Sequence, residues 1–320
     1  MLRRMQFIPG RLIQTIPVVF GVTLVVFFLG HLLPGDPAIA ILGEHATPAR
    51  VAALREQLGL NLPLGVQYGQ FLLHILQGNL GQSLTYQVPV ASLVLQAVPV
   101  TLSLLLFALI ISLAISIPLA GLAAAKPGGA WDYVARGYTL LGQGMPQFWV
   151  GIMLLLLLAV GLRVFPVGGY GITPLDHIYY LCLPALTMGI AMSPTIVRSL
   201  RSSTIDVLGS EYIATARSKG SSGTALFRQH VLRNAVIPTV SIIGVHLGYL
   251  VGGSIVIEKV FAIPGLGSLM LNAIFSRDFP TIQAVSLMVA LFVVAVGILT
   301  DIIYTLLNPR INLSGGGEAV

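Results

Sequence analysis

Long apolar runs dominate the chain, and their lengths decide what they form. Six of them, near Leu12–Leu33, Val98–Ala125, Tyr138–Leu162, Tyr179–Val197, Val236–Ile257 and Ile282–Leu307, lack strict alternation of apolar and polar positions. At a helical rise of about 1.5 Å per residue, each reaches across roughly 30 Å of hydrocarbon. Inside a bilayer every backbone polar group must pair internally, so only helices or closed barrels span, and a barrel would need alternation. The pattern therefore predicts an all-α fold, a polytopic membrane bundle of six transmembrane helices.

Two polar intervals interrupt the runs. Residues 34–97 are long enough for an external helical subdomain. Thr47 reads as an N-cap with Pro48 behind it, followed by a helix through Leu58, a stop at Gly59 and a second helix from Gly65 to Leu76. Tyr68, Phe71, Leu72 and Ile75 share one face of that second helix, as a lid on the bundle or as a docking surface for an external partner. In the other interval, 199–234, the stretch Ser210 to Gly220 reads as a helix stopped by glycine, with another helix from about Thr224 to Arg233. The expected division is thus 1–33 for the N-terminus and first span, 34–97 for the external subdomain, 98–308 for the core, and 309–320 for a tail. Within the core, Gly244, Gly248 and Gly252 form an i, i+4, i+8 stripe suited to close helix approach. Pro146, Pro184 and Pro194 mark places where spans can kink, either as static packing features or beside a transport path.

Composition sharpens this picture. Of 320 residues, 56% are hydrophobic and 9% charged, far from the roughly one quarter charged of a soluble domain. The net charge of +6 and a pI near 9.7 follow from lysine and arginine spread over loops, with no aromatic stacking platform, so no nucleic-acid partner is expected. Counted by side, 12 of the 17 basic residues fall with the termini and the 199–234 loop and 5 on the opposite side, which places both termini in the cytoplasm. Cys182 stands alone in a span and forms no intrachain disulfide. Arg3 and Arg4, an apolar run and Ala38-Ile39-Ala40 have the outline of a cleavable leader. The run from Ile16 to Leu33, however, exceeds the roughly 7–15 residues of such a segment, so the first span is expected to be retained.

Candidate chemistry is sparse. Lys126, Lys219 and Lys259 are followed by Pro127, Gly220 and Val260, so there is no phosphate-binding Gly-x-x-x-x-Gly-Lys-Ser/Thr loop, and any ATP binds elsewhere. Asp301 lies near one end of the last span. Glu258 and Lys259 lie at the end of the fifth, where interfacial pairing and snorkelling account for them better than ion coupling does. His31, His45, His74, His177, His230 and His246 show no metal-ligand spacing. Ser254 is separated from His246 by eight residues of one helix, about 12 Å, too far for a nucleophile–base pair. These residues offer no ATPase site and argue against an enzyme or an ion-coupled carrier acting alone.

The residues Glu211-Tyr212-Ile213-Ala214-Thr215-Ala216-Arg217-Ser218-Lys219-Gly220, followed by Leu232-Arg233-Asn234-Ala235-Val236-Ile237-Pro238, resemble the EAA loop of ABC importer permeases. Within that class the chain is similar to the first permease of the dipeptide, oligopeptide, glutathione and nickel family. The resemblance extends through Leu33-Pro34-Gly35-Asp36-Pro37, Gly78-Asn79-Leu80-Gly81-Gln82-Ser83, Gly252-Gly253-Ser254-Ile255-Val256-Ile257-Glu258, Pro264-Gly265-Leu266-Gly267 and Arg277-Asp278-Phe279-Pro280. Two departures affect charge pairing: Ser210 stands where relatives often carry an acid, and Ala214 where they often carry arginine. The resemblance implies a type I importer with a second permease, two ABC ATPase subunits that hold ATP and Mg, an external binding protein, and no cofactor in this chain. It further implies that Glu211, Tyr212, Ala214, Ala216, Lys219 and Gly220 meet the ATPase, and that the cargo is a short peptide, glutathione or a nickel chelate.

Overall fold

The computed structural model describes residues 7–32, 37–43, 46–57, 59–218, 223 and 231–307. Among the described residues twelve α-helices run in order: α1 Phe7–Leu32, α2 Pro37–Leu42, α3 Pro48–Gln57, α4 Leu64–Leu76, α5 Val90–Ala125, α6 Ala130–Gly144, α7 Gln147–Leu154, α8 Pro174–Leu208, α9 Glu211–Ser218, α10 Arg233–Val260, α11 Leu266–Phe275 and α12 Phe279–Leu307. A π-helical stretch, Leu155–Gly161, prolongs α7, and among the described residues the only β-pairing is an isolated bridge between Gln82 and Pro89. Among the described residues four helices, α5, α8, α10 and α12, are long and apolar enough to span; the bent passage of α6 and α7 is a fifth if it crosses as one unit, and α1 carries an apolar stretch at Thr15–Phe28.

The core lies where α5 crosses α8. Leu104, Leu105 and Ala108 of α5 bury against Met188, Met192 and Ile196 of α8, with Leu250, Val251 and Ile257 of α10 closing the cluster. Gly189 makes this crossing possible, because a Cβ there would stand 2.8 Å from Ile111 and 3.0 Å from the Ala108 carbonyl oxygen. α12 packs on α10, and α1 lies outermost against α12.

Three expectations change. The third span is not continuous from Tyr138 to Leu162: α6 and α7 meet at 103° around Met145 and Pro146. Pro146 has no amide hydrogen to donate and its ring pushes Met145 into extended geometry, φ −97° and ψ 126°, so the helix ends there. The fourth span is longer than Tyr179–Val197. A capping box between Thr173 and Asp176 starts α8 at Pro174, and no breaker intervenes before Gly209, so residues 199–208 continue the span instead of opening a loop. The second begins at Val90, one residue after Pro89, and not at Val98.

Pro184 and Pro194 do not interrupt α8. The Ile190 carbonyl, which Pro194 cannot serve, instead accepts from Ser193 Oγ at 3.1 Å and from Tyr138 OH at 3.4 Å. A neighbouring hydroxyl thus satisfies the freed backbone group, which is how spanning helices tolerate proline.

Candidate functional site

The 210–220 motif begins as a short helix hung directly from α8, the most deeply buried of the long spans. α8 ends at Gly209, and the Ser210 carbonyl accepts the Ile213 and Ala214 amides at 3.1 and 3.3 Å to start α9. Ile213 is the anchor: it is fully buried with Val231, against Val207, Leu208 and Ala216. The opposite side, Glu211, Tyr212, Ala214, Thr215 and Ser218, is exposed. The Tyr212 hydroxyl accepts from Asn234 Nδ2 at 2.9 Å, which ties α9 to the start of α10. Of the expected coupling residues, then, Glu211, Tyr212 and Ala214 share an open surface and Ala216 is half-buried. Lys219, Gly220 and most of the second expected helix lie outside the described residues.

A buried ion cluster sits on the same side of the bundle. Asp132, in the first turn of α6, accepts from Arg201 Nε, from Arg136 Nη2 at 2.9 Å and from the Gly128 amide at 2.9 Å. Its carboxylate is almost wholly buried, Arg201 is largely so, and Arg136 is exposed. Arg201 lies two turns before the end of α8. The cluster therefore joins the loop after α5, the bent passage and the helix that carries α9.

The opposite end holds a second knot. Glu258 was expected at an interface with Lys259; the structure corrects this, because Glu258 is completely buried while Lys259 is exposed and donates to Asn272 Oδ1 at 3.0 Å. Glu258 accepts from Thr101 Oγ1 at 2.7 Å and from the Ser268 amide at 2.9 Å, and Thr101 Oγ1 in turn accepts the Leu266 amide at 2.9 Å. Leu266 and Ser268 open α11, whose N-cap residue is Gly265. The Glu258 carboxylate thus does from α10 what an N-cap side chain ordinarily does locally. A Cβ at Gly265 would meet it at 2.5–2.6 Å, which is why Pro264-Gly265-Leu266-Gly267 needs glycine there. Single-residue patterns could not find this site, since the partners lie 157 and 10 residues away.

Asp278 makes a parallel knot. Also fully buried, it accepts from Ser83 Oγ, the Leu84 amide at 3.1 Å and the Thr281 amide at 3.4 Å, so one carboxylate caps α12 and fastens the end of the 34–97 interval. In the glycine stripe, a Cβ on Gly244 would stand 2.3 Å from Thr300 Oγ1 of α12, one on Gly248 3.7 Å from Val293, and one on Gly252 would meet nothing within 4 Å. Among the described residues no group of three or more His, Cys, Asp or Glu side chains is placed to hold a metal ion.

A family model described as the binding-protein-dependent transport system inner membrane component matches residues 116–313, and its N-terminal companion matches residues 4–105. The chain belongs to this family. It is an inner-membrane, multi-pass permease component of an ABC transport system. The dipeptide transport system permease protein DppB of Escherichia coli (strain K12) is 36% identical over 334 residues, covering 96% of this chain and 98% of that protein. A protein of Sinorhizobium fredii (strain NBRC 101917 / NGR234), named a probable peptide ABC transporter permease, is 37% identical over 310 residues, covering 95% and 98%. A solved structure of the MetNI methionine ABC transporter in inward facing conformations aligns with a TM-score of 0.56 at 16% identity, over 68% of this chain and 96% of that one; it shows that the permease fold is shared.

Proposed function

We propose that this permease is one of a pair in an ATP-driven, binding-protein-dependent importer of short peptides. The observation that carries the reading is α9: a short helix pinned by Ile213, open on its Glu211, Tyr212 and Ala214 side, and joined to α8 without a flexible linker. A helix so presented fits a groove on another protein, and motion of that groove is transmitted to α8 as a rigid body. The occupant is an ATPase subunit. ATP and Mg bind there, and closure of the ATPase pair biases the permeases between inward-open and outward-open arrangements through its different affinity for the two. Peptide cargo is supported by the names of relatives at 36–39% identity. Both termini and α9 are cytoplasmic on the balance of basic residues, and the Glu258 end faces outward.

The test is co-purification with the products of neighbouring genes in nanodiscs, then ATP hydrolysis with and without binding protein and with di- and oligopeptides, glutathione and a nickel chelate. The expected result is hydrolysis stimulated by binding protein and peptide. Failure of a folded permease to recruit any ATPase overturns the importer reading, and stimulation by glutathione or the chelate alone overturns the peptide assignment. Replacing Gly220 by a bulky residue is expected to abolish peptide uptake while the permease pair still assembles; unimpaired uptake removes the segment from coupling.

A further inference from the structure

The polarity of the 34–97 interval predicts a water-exposed subdomain, yet its second helix is uncharged and lies beside the middle of α1. Across the α4 sequence LGVQYGQFLLHIL there is no Asp, Glu, Lys or Arg. Tyr68 OH and Thr23 Oγ1 share a hydrogen bond of 2.8 Å, and Tyr68 packs edge-on against Phe20 and Phe27 with ring centroids 5.7 and 5.4 Å away. Phe71 adds a contact with Phe27 at 5.7 Å. The face predicted from spacing is therefore the one that packs, and it packs on the apolar stretch of α1, Thr15–Phe28.

Depth follows from α12. Gln283, in its second turn, donates Nε2 to the Val26 carbonyl at 3.3 Å, which sets the level of α1 against α12. α12 begins at Phe279, two residues after exposed Arg277, which marks the polar boundary at this end. At 1.5 Å per residue, Val26 lies about 6 Å and Phe20 about 15 Å inside that boundary. Half of a 30 Å hydrocarbon core is about 15 Å, so the contacts of α4 fall within one leaflet. The exit of α4 agrees: a Cβ on Gly81 would stand 3.5 Å from Pro280, so the chain returns to the boundary level just after the helix.

The uncovered side of α4 is largely apolar: Leu64, Val66, Leu73 and Leu76 are exposed, Leu76 by 84%, with Gln70 and His74 as its polar members. This surface continues onto exposed Ile13, Ile16 and Phe20 of α1 across a groove of about 290 Å³ lined by Thr15, Ile16, Val19, Phe20, Thr23 and Leu72. We infer that α4 is embedded in the leaflet at the Glu258 end, with its uncovered side against lipid acyl chains and the α1–α4 groove filled by one of them. A helix without charges, at hydrocarbon depth and continuous with a spanning surface, matches lipid, whereas the surface offered to a water-soluble binding protein is expected to carry a polar rim.

The test uses single cysteines at Leu73 and Leu76, with Ala53 on the charged helix α3 as control, each in a Cys182→Ser background and labelled with bimane in the assembled transporter in phosphatidylcholine liposomes. Doxyl-labelled phosphatidylcholine is expected to quench Leu73→Cys and Leu76→Cys about threefold more than Ala53→Cys, with the order reversed for aqueous iodide. Iodide quenching at Leu73→Cys equal to that at Ala53→Cys overturns the inference in favour of a water- or binding-protein-facing helix. Insensitivity of both α4 positions to both quenchers overturns it in favour of cover by the second permease. The readout is fluorescence, independent of cargo and of ATP hydrolysis, so it stands or falls apart from the importer reading.

Discussion

Glu258 and Gly265 show how one residue's chemistry dictates another's. The carboxylate fills the place where an N-cap side chain of α11 would stand, so the two positions are expected to be strongly non-additive. Glu258→Ala strands the Ser268 amide and the Thr101 hydroxyl in a buried site and is expected to cost about 2–4 kcal/mol. Gly265→Ser alone overpacks the carboxylate and is expected to cost about 1–3 kcal/mol. Combined, the serine hydroxyl can cap α11 itself, and the double variant is expected to melt above Glu258→Ala in detergent; a melting point at or below that of Glu258→Ala refutes the capping account. Asp132 is the counterpart at the other end. Asp132→Ala leaves largely buried Arg201 unpaired and is expected to destabilise by about 2–4 kcal/mol, readable by intrinsic fluorescence of Trp131 and Trp149 on heating. Neither role was legible in the sequence, because a carboxylate at a span's end and one in a loop-side helix look interfacial until their distant partners are known.

At the scale of elements, the α9 surface depends on one apolar anchor. Ile213→Ala removes most of a fully buried side chain and is expected to cost the small cluster about 2–4 kcal/mol. With α9 loosened from α8, stimulated ATP hydrolysis is expected to fall while the complex still assembles, and full stimulation contradicts rigid coupling. The glycine stripe divides in a way that spacing could not reveal. Gly244→Leu collides with Thr300 and is expected to lower the melting point of the purified chain, whereas Gly252→Ala, with open space around it, is expected to leave it unchanged. The α3 and α4 helices, the left-handed Gly59 between them at φ +68° and the apolar face of α4 were readable, since glycine's backbone freedom and i, i+3, i+4 spacing are local rules. The 103° bend was readable only as a proline that permits a kink; its size depends on how α6 and α7 both pack on α8, where Gly142 leaves room for Pro194.

For the whole molecule, three buried carboxylates tie the helices together, Asp132 to Arg201 of α8, Glu258 to Thr101 of α5 and Asp278 to Ser83, while the α5–α8 crossing forms the core. A cysteine at Ser314 is expected to react with an impermeant maleimide only after the cells are opened, and one at Ala53 before; the reverse order inverts the proposed topology. The sequence by itself determined that the chain is helical, that it lies in a membrane, and where most spans run. Those properties follow from hydrophobic length and backbone pairing, which act within a segment. Only the tertiary structure decided that Glu258 is buried, that Asp132 pairs with Arg201, and that α4 lies against α1. Each of those turns on which distant groups come to share one small, water-free space, and no local rule specifies that.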